Sequence, residues 1–189
     1  MISPRTAPRP PGPLAAVSDA LASVEAAAAG LMLAGVLGIS AAGAVARSAG
    51  APLVWADEAA IAAMVWAGFL GAAALFGRAG HMAITLLPEH LPPRARAALD
   101  LVTALILLGF FAGLAGLVWR WFDLPGLIRS GSAQALAQDS FNFLYLEPTQ
   151  TLGLRKFWLW LVLPLFCLGG LVHALAGVAR AAAAWRGRP

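Results

Sequence analysis

Four long stretches of this chain carry no Asp, Glu, Lys or Arg: residues 26–46, 59–77, 101–119 and 157–179, which are 21, 19, 19 and 23 residues long. A helix rises ~1.5 Å per residue, so each stretch matches a hydrocarbon core of about 30 Å. Lipid offers no partners to backbone N–H and C=O groups, which leaves the self-satisfied helix as the spanning form for such segments. The spacing of charge therefore predicts an all-α integral membrane protein with four transmembrane helices, over about 24–46, 55–78, 99–121 and 156–179. Short interfacial segments are expected in the loops.

The rest of the chain fits that frame. Hydrophobic residues make up 60% of the sequence and charged residues 12%, with a mean hydropathy of +0.78, outside the balance of a soluble domain. A net charge of +4 is too small to argue for a nucleic-acid partner. Cys167 stands alone, so neither an intrachain disulfide nor a thiolate metal cage can form. The opening MISPRTAPRPPGP holds five prolines and two arginines, which predicts a flexible cytoplasmic tail over 1–18. A membrane domain over 19–180 and a basic tail over 181–189 complete the expected organisation. The first apolar run exceeds the ~7–15 residues of a signal-peptide core, so it is read as an uncleaved anchor.

Lys and Arg counted by loop set the orientation. The N-terminal tail, the second loop (Arg78, Arg94, Arg96) and the C-terminus hold eight, against five in the first and third loops (Arg47; Arg120, Arg129, Arg155, Lys156). Both termini are thus expected in the cytoplasm, N-in and C-in. Trp55, Trp119, Trp121, Trp158 and Trp160 would all fall at the opposite interface, as an aromatic belt does.

Helices in lipid associate through close packing of small residues and through interhelical hydrogen bonds. Gly30, Ala34, Gly38 and Ala42 form an i, i+4 row in the first span, and Gly109 and Gly113 a shorter one in the third. Gly170 and Ala174 repeat that spacing in the fourth. These rows are expected to be contact faces, within the bundle or toward a partner. Pro164 should kink the fourth span and free a carbonyl. The segment LLPEHLPP in the second loop reads as a bent amphipathic piece, and DSFNFLYLEP in the third is too apolar for an idle linker.

No phosphate-cradling, zinc-protease or serine-hydrolase motif is present, so no enzymatic activity, catalytic residue, metal site or resident cofactor is expected. His81 and His173 both fall toward the cytoplasmic side, where paired histidines could hold a haem; a haem-binding membrane anchor of a redox complex is the alternative reading. The middle of every span lacks a charged residue, which suits a chain that supports transport better than one that performs it alone.

The second span and its flanks carry a resemblance. Trp55-x-Asp57-Glu58-Ala59, Trp66, FLGAA at 69–73, Arg78-x-Gly80-His81, and Leu91-Pro92 with Arg94 and Arg96 resemble the small membrane subunit of tripartite ATP-independent periplasmic (TRAP) transporters, the DctQ-like family. LPLFCLGGLVHAL at 163–175 is similar to that family's last span. Ala83 and Thr85 depart from the family pattern, which has a basic and an acidic residue there. The resemblance implies a multi-pass subunit of a bacterial inner membrane that scaffolds a large, sodium-coupled permease subunit, with a periplasmic binding protein delivering an organic acid. It implies no substrate site in this chain. Trp55, Asp57, Glu58, Trp66, Arg78 and His81 become candidates for the partner interface.

Overall fold

The computed structural model describes residues 12–78 and 92–186. His81 and the LLPEHLPP segment up to Leu91 lie outside the described residues, as do the first eleven and last three. Among the described residues the chain is helical apart from loops and one isolated bridge between Pro148 and Arg155. Four helices among the described residues are long and apolar enough to cross a membrane. They are α1 (Pro13–Ser48), α2 (Ala56–Gly77), α3 (Pro93–Phe122) and, after three short helices, α7 (Val162–Arg186). The short ones are α4 (Leu124–Ser130), α5 (Ala133–Ser140) and α6 (Phe157–Trp160).

Local chemistry explains the boundaries. α1 and α3 each open on a proline in the first turn, where the missing N–H would be unsatisfied anyway. α1 ends as Gly50 turns left-handed at φ 76°, a conformation that favours glycine. Asp123, at φ 38°, ends α3 and also caps α4 by accepting from the Gly126 amide at 3.0 Å. Asn142 donates to the Trp121 carbonyl at 2.8 Å, and the Tyr145 hydroxyl donates to the Phe122 carbonyl, so the third loop satisfies the last carbonyls of α3. Burial, and secondarily the nearby Asp123 carboxylate, raises the Tyr145 phenol above its ordinary pKa and keeps it a donor.

The long helices alternate in direction. One end of the molecule, the terminal end, holds the start of α1, the end of α2, the start of α3 and the end of α7. The other, the hairpin end, holds the α1–α2 turn and the α3–α7 connection. α1 and α2 pair along their length, with Ala22 against Gly77 at one end and Gly43 against Ala56 at the other. α7 is the common element: it packs on α3, on α2 and on α1.

The seam of α1 is not the row of small residues. Ser18, Ala22, Glu25, Ala29, Met32, Val36, Ile39 and Gly43 are buried or half-buried at alternating spacings of four and three, a left-handed coiled-coil pattern. α3 buries Ala97, Ala104, Phe111 and Val118 at heptad spacing, and Phe122 at its end. Phe111, the largest of the heptad set and at 1% exposure, is seated on Gly170 of α7 and edge-on to Phe76 and Phe166. A side chain at 170 would occupy the space of that ring.

α1 begins at Pro13, so part of the segment read from sequence as a tail is helical, and the helix is anchored through the buried Ser18. Hydropathy could not show this, because the seam residue there is the polar Ser18. The third loop packs in part on the helices. Leu136, Leu144 and Tyr145 fold onto Val118, Phe122 and Cys167, which accounts for much of its apolar content. The helical break at Leu161 precedes Pro164, and Trp66 of α2 donates to the nearby Leu159 carbonyl at 2.9 Å.

Candidate functional site

Polar groups tie the helices together at both ends, in different ways. At the hairpin end, Asp57 and Glu58 open α2, where negative side chains favour the positive end of the helix dipole. Glu58 accepts from the backbone amides of Gln150 (2.8 Å), Thr151 (2.6 Å) and Leu152 (3.1 Å), and from the Thr151 hydroxyl (2.7 Å). Successive amides converging on one anion form a nest, and here the anion is the chain's own carboxylate. The loop is shaped for this by Gly153 at φ 68° and by Thr149, whose amide and hydroxyl both donate to the Leu154 carbonyl. Asp57 faces Arg47 across the α1–α2 turn at 3.6 Å, with both side chains exposed.

At the terminal end three side chains meet in the interior. Ser18 Oγ lies 2.8 Å from His173 Nδ1, and Glu25 Oε2 lies 2.9 Å from His173 Nε2. Ser18 is 0%, His173 2% and Glu25 6% exposed, so the cluster is buried between the helices. With the proton on Nε2, the ring donates to Glu25 and accepts from Ser18, and all three groups are satisfied. Two glycines make the room. A Cβ at Gly77 would stand 2.6 Å from both Ala22 Cβ and His173 Cε1, and one at Gly169 would meet the Glu25 carboxylate. The cluster thus fastens α1 to α7, with the end of α2 closing over it.

This arrangement has the residue types of a hydrolytic triad without its access. Ser18 is sealed, and its hydroxyl faces an imidazole held by a carboxylate on the other nitrogen, so its chemistry is to hold helices. It also removes the basis of the haem reading, since both ring nitrogens of His173 are spent within the chain. Among the described residues no group of three His, Cys, Asp or Glu could hold a metal ion.

The sequence-derived candidates divide accordingly. Asp57, Glu58 and Trp66 are engaged within the chain, whereas Trp55 is exposed beside α2 and Arg78 is exposed at its far end. His81 lies outside the described residues. Gly30, Ala34, Gly38 and Ala42 are exposed along α1, and Gly109 and Gly113 along α3, so neither row is used between the helices described. Gly170 and Ala174 are buried against α3. Trp119, Trp121, Trp158 and Trp160 stand exposed with Trp55 at the hairpin end, together with Phe141 and Phe143. Sequence reading missed Glu25 and Ser18, whose partner is about 150 positions away.

Four apolar spans tied by buried polar contacts and presenting outward apolar faces define a helical, multi-pass membrane protein. The comparison with known families agrees. Residues 36–186 match the DctQ component of tripartite ATP-independent periplasmic transporters, and the chain belongs to that family as a TRAP transporter small permease subunit. No curated protein and no solved structure gives a significant match.

Proposed function

We propose that this subunit is a rigid brace for a large, ion-coupled permease subunit, and that the complex takes up an organic acid across a bacterial inner membrane on a sodium gradient. A periplasmic binding protein would deliver the substrate to the complex, as the family's tripartite make-up implies. The observation that carries the bracing role is the contrast between fastened interior and free surface. In the most apolar window of α1 and of α3 only 11% of residues are buried, against 44% in α7. Those free faces include the small-residue rows of both helices, which let another backbone approach closely.

The charge distribution supports N-in and C-in. The hairpin end holds five Lys and Arg, against eight in the two tails and the second loop, and that count favours both termini inside. In this reading Glu58 serves docking indirectly, by holding the 150–152 loop beside Trp55 at the outer interface.

Reconstituted vesicles with the large subunit, the binding protein and a sodium gradient test the role. Uptake is expected with this chain and lost without it, while this chain alone transports nothing. Full uptake in its absence would overturn the proposal. Replacing Ala34 and Gly38 together by leucine is expected to weaken co-purification of the large subunit and leave insertion intact.

A further inference from the structure

At the terminal end a groove of about 410 Å³ opens between the end of α2, the first half of α3 and the last half of α7. Its floor is apolar, with Phe76, Leu107 and Phe111, and small residues of α7 such as Ala174 and Gly177 give it depth. Two charged residues stand in its walls, Asp100 from α3 and Arg180 from α7. Neither takes part in an ion pair among the described residues, and they do not pair with each other.

The dimensions point to an occupant. Asp100 precedes Phe111 by 11 residues and Arg180 follows Gly170 by 10, so on antiparallel helices both charges stand ~15–17 Å from the Phe111–Gly170 contact. Half of a hydrocarbon core of about 30 Å is the same length. The groove therefore runs from headgroup level to mid-membrane, the depth of one leaflet. At its mouth it offers a guanidinium, which suits a phosphate, and a separate carboxylate, which suits an ammonium that can donate.

We propose that this groove binds one aminophospholipid, of phosphatidylethanolamine headgroup chemistry. An acyl chain lies along Leu107 and Phe111, the phosphate sits on Arg180 and the primary ammonium donates to Asp100. A choline headgroup has no N–H to give Asp100, and a glycerol headgroup has no cation for it. The pair of charges thus selects the headgroup, and the apolar floor holds the tail.

Native mass spectrometry of the full chain in mild detergent tests this, with phosphatidylethanolamine, phosphatidylcholine and phosphatidylglycerol supplied in equal amounts. The ethanolamine lipid is expected to be retained roughly tenfold over the other two, a preference of ~1.4 kcal/mol. Asp100→Asn should erase the preference, Arg180→Gln should lower retention of all three lipids, and Thr103→Trp, which fills the groove, should abolish it. Helicity and monodispersity confirm that each variant is folded. Equal retention of the three lipids by the wild type, or an unchanged pattern in Arg180→Gln, overturns the proposal. So does crosslinking of Thr103→Cys to a protein subunit rather than to a photoreactive ethanolamine lipid in native membranes.

Discussion

Glu25 stands within α1 and Glu58 in the first turn of α2, and each is bound to a segment remote in sequence, yet they work in opposite surroundings. Glu25 is 6% exposed and meets a single imidazole inside the helix contact. Glu58 collects amides from a surface loop. A buried carboxylate without its partner is costly, whereas an exposed one can fall back on water. The terminal end is therefore held by a contact that must be complete, and the hairpin end by one that can be lost in part.

The largest expected effect comes from orphaning the buried carboxylate. His173→Ala should destabilise the fold by ~3–5 kcal/mol, read as an earlier midpoint in detergent-denaturant unfolding. The double variant Glu25→Leu, His173→Leu should recover most of that loss. If the single variant unfolds like wild type, the two ends do not differ as described.

Gly77→Ala comes next. It pushes a methyl group into Ala22 and the imidazole, and overpacking of this kind costs ~1–3 kcal/mol. Glu58→Gln should act on the loop alone. Amide exchange at Gln150, Thr151 and Leu152 should accelerate while the unfolding midpoint stays near wild type; a large midpoint shift would show that the hairpin end is also integral to stability. Asp57→Asn removes an exposed ion pair and should leave unfolding within measurement scatter.

The span count and the family were legible from charge-free length and from the residues around α2. The fastening at the terminal end was not. Counting apolar stretches placed Glu25 just before the first one, at Ala26, and so treated it as a flank. Its role depends on where α7 lies, which spacing along the chain does not encode. The small-residue rows drew attention for their i, i+4 regularity, but Met32, Val36 and Ile39 share the actual seam with Ala22, Ala29 and Gly43. At the hairpin end, the turn signal of Gly153 was readable, but not the nest of amides turned toward Glu58.

The central place of α7 has a consequence for how the subunit is made. α1 and α2 leave the ribosome first and can close on each other at once, since Ala22 meets Gly77 and Gly43 meets Ala56. α3 follows with Phe111 facing lipid, because Gly170 has not yet been synthesised. Glu25 waits too, until His173 arrives with the last span. Assembly is thus completed from the C-terminal side, and a chain truncated before Gly170 would leave one unmatched carboxylate and one idle helix.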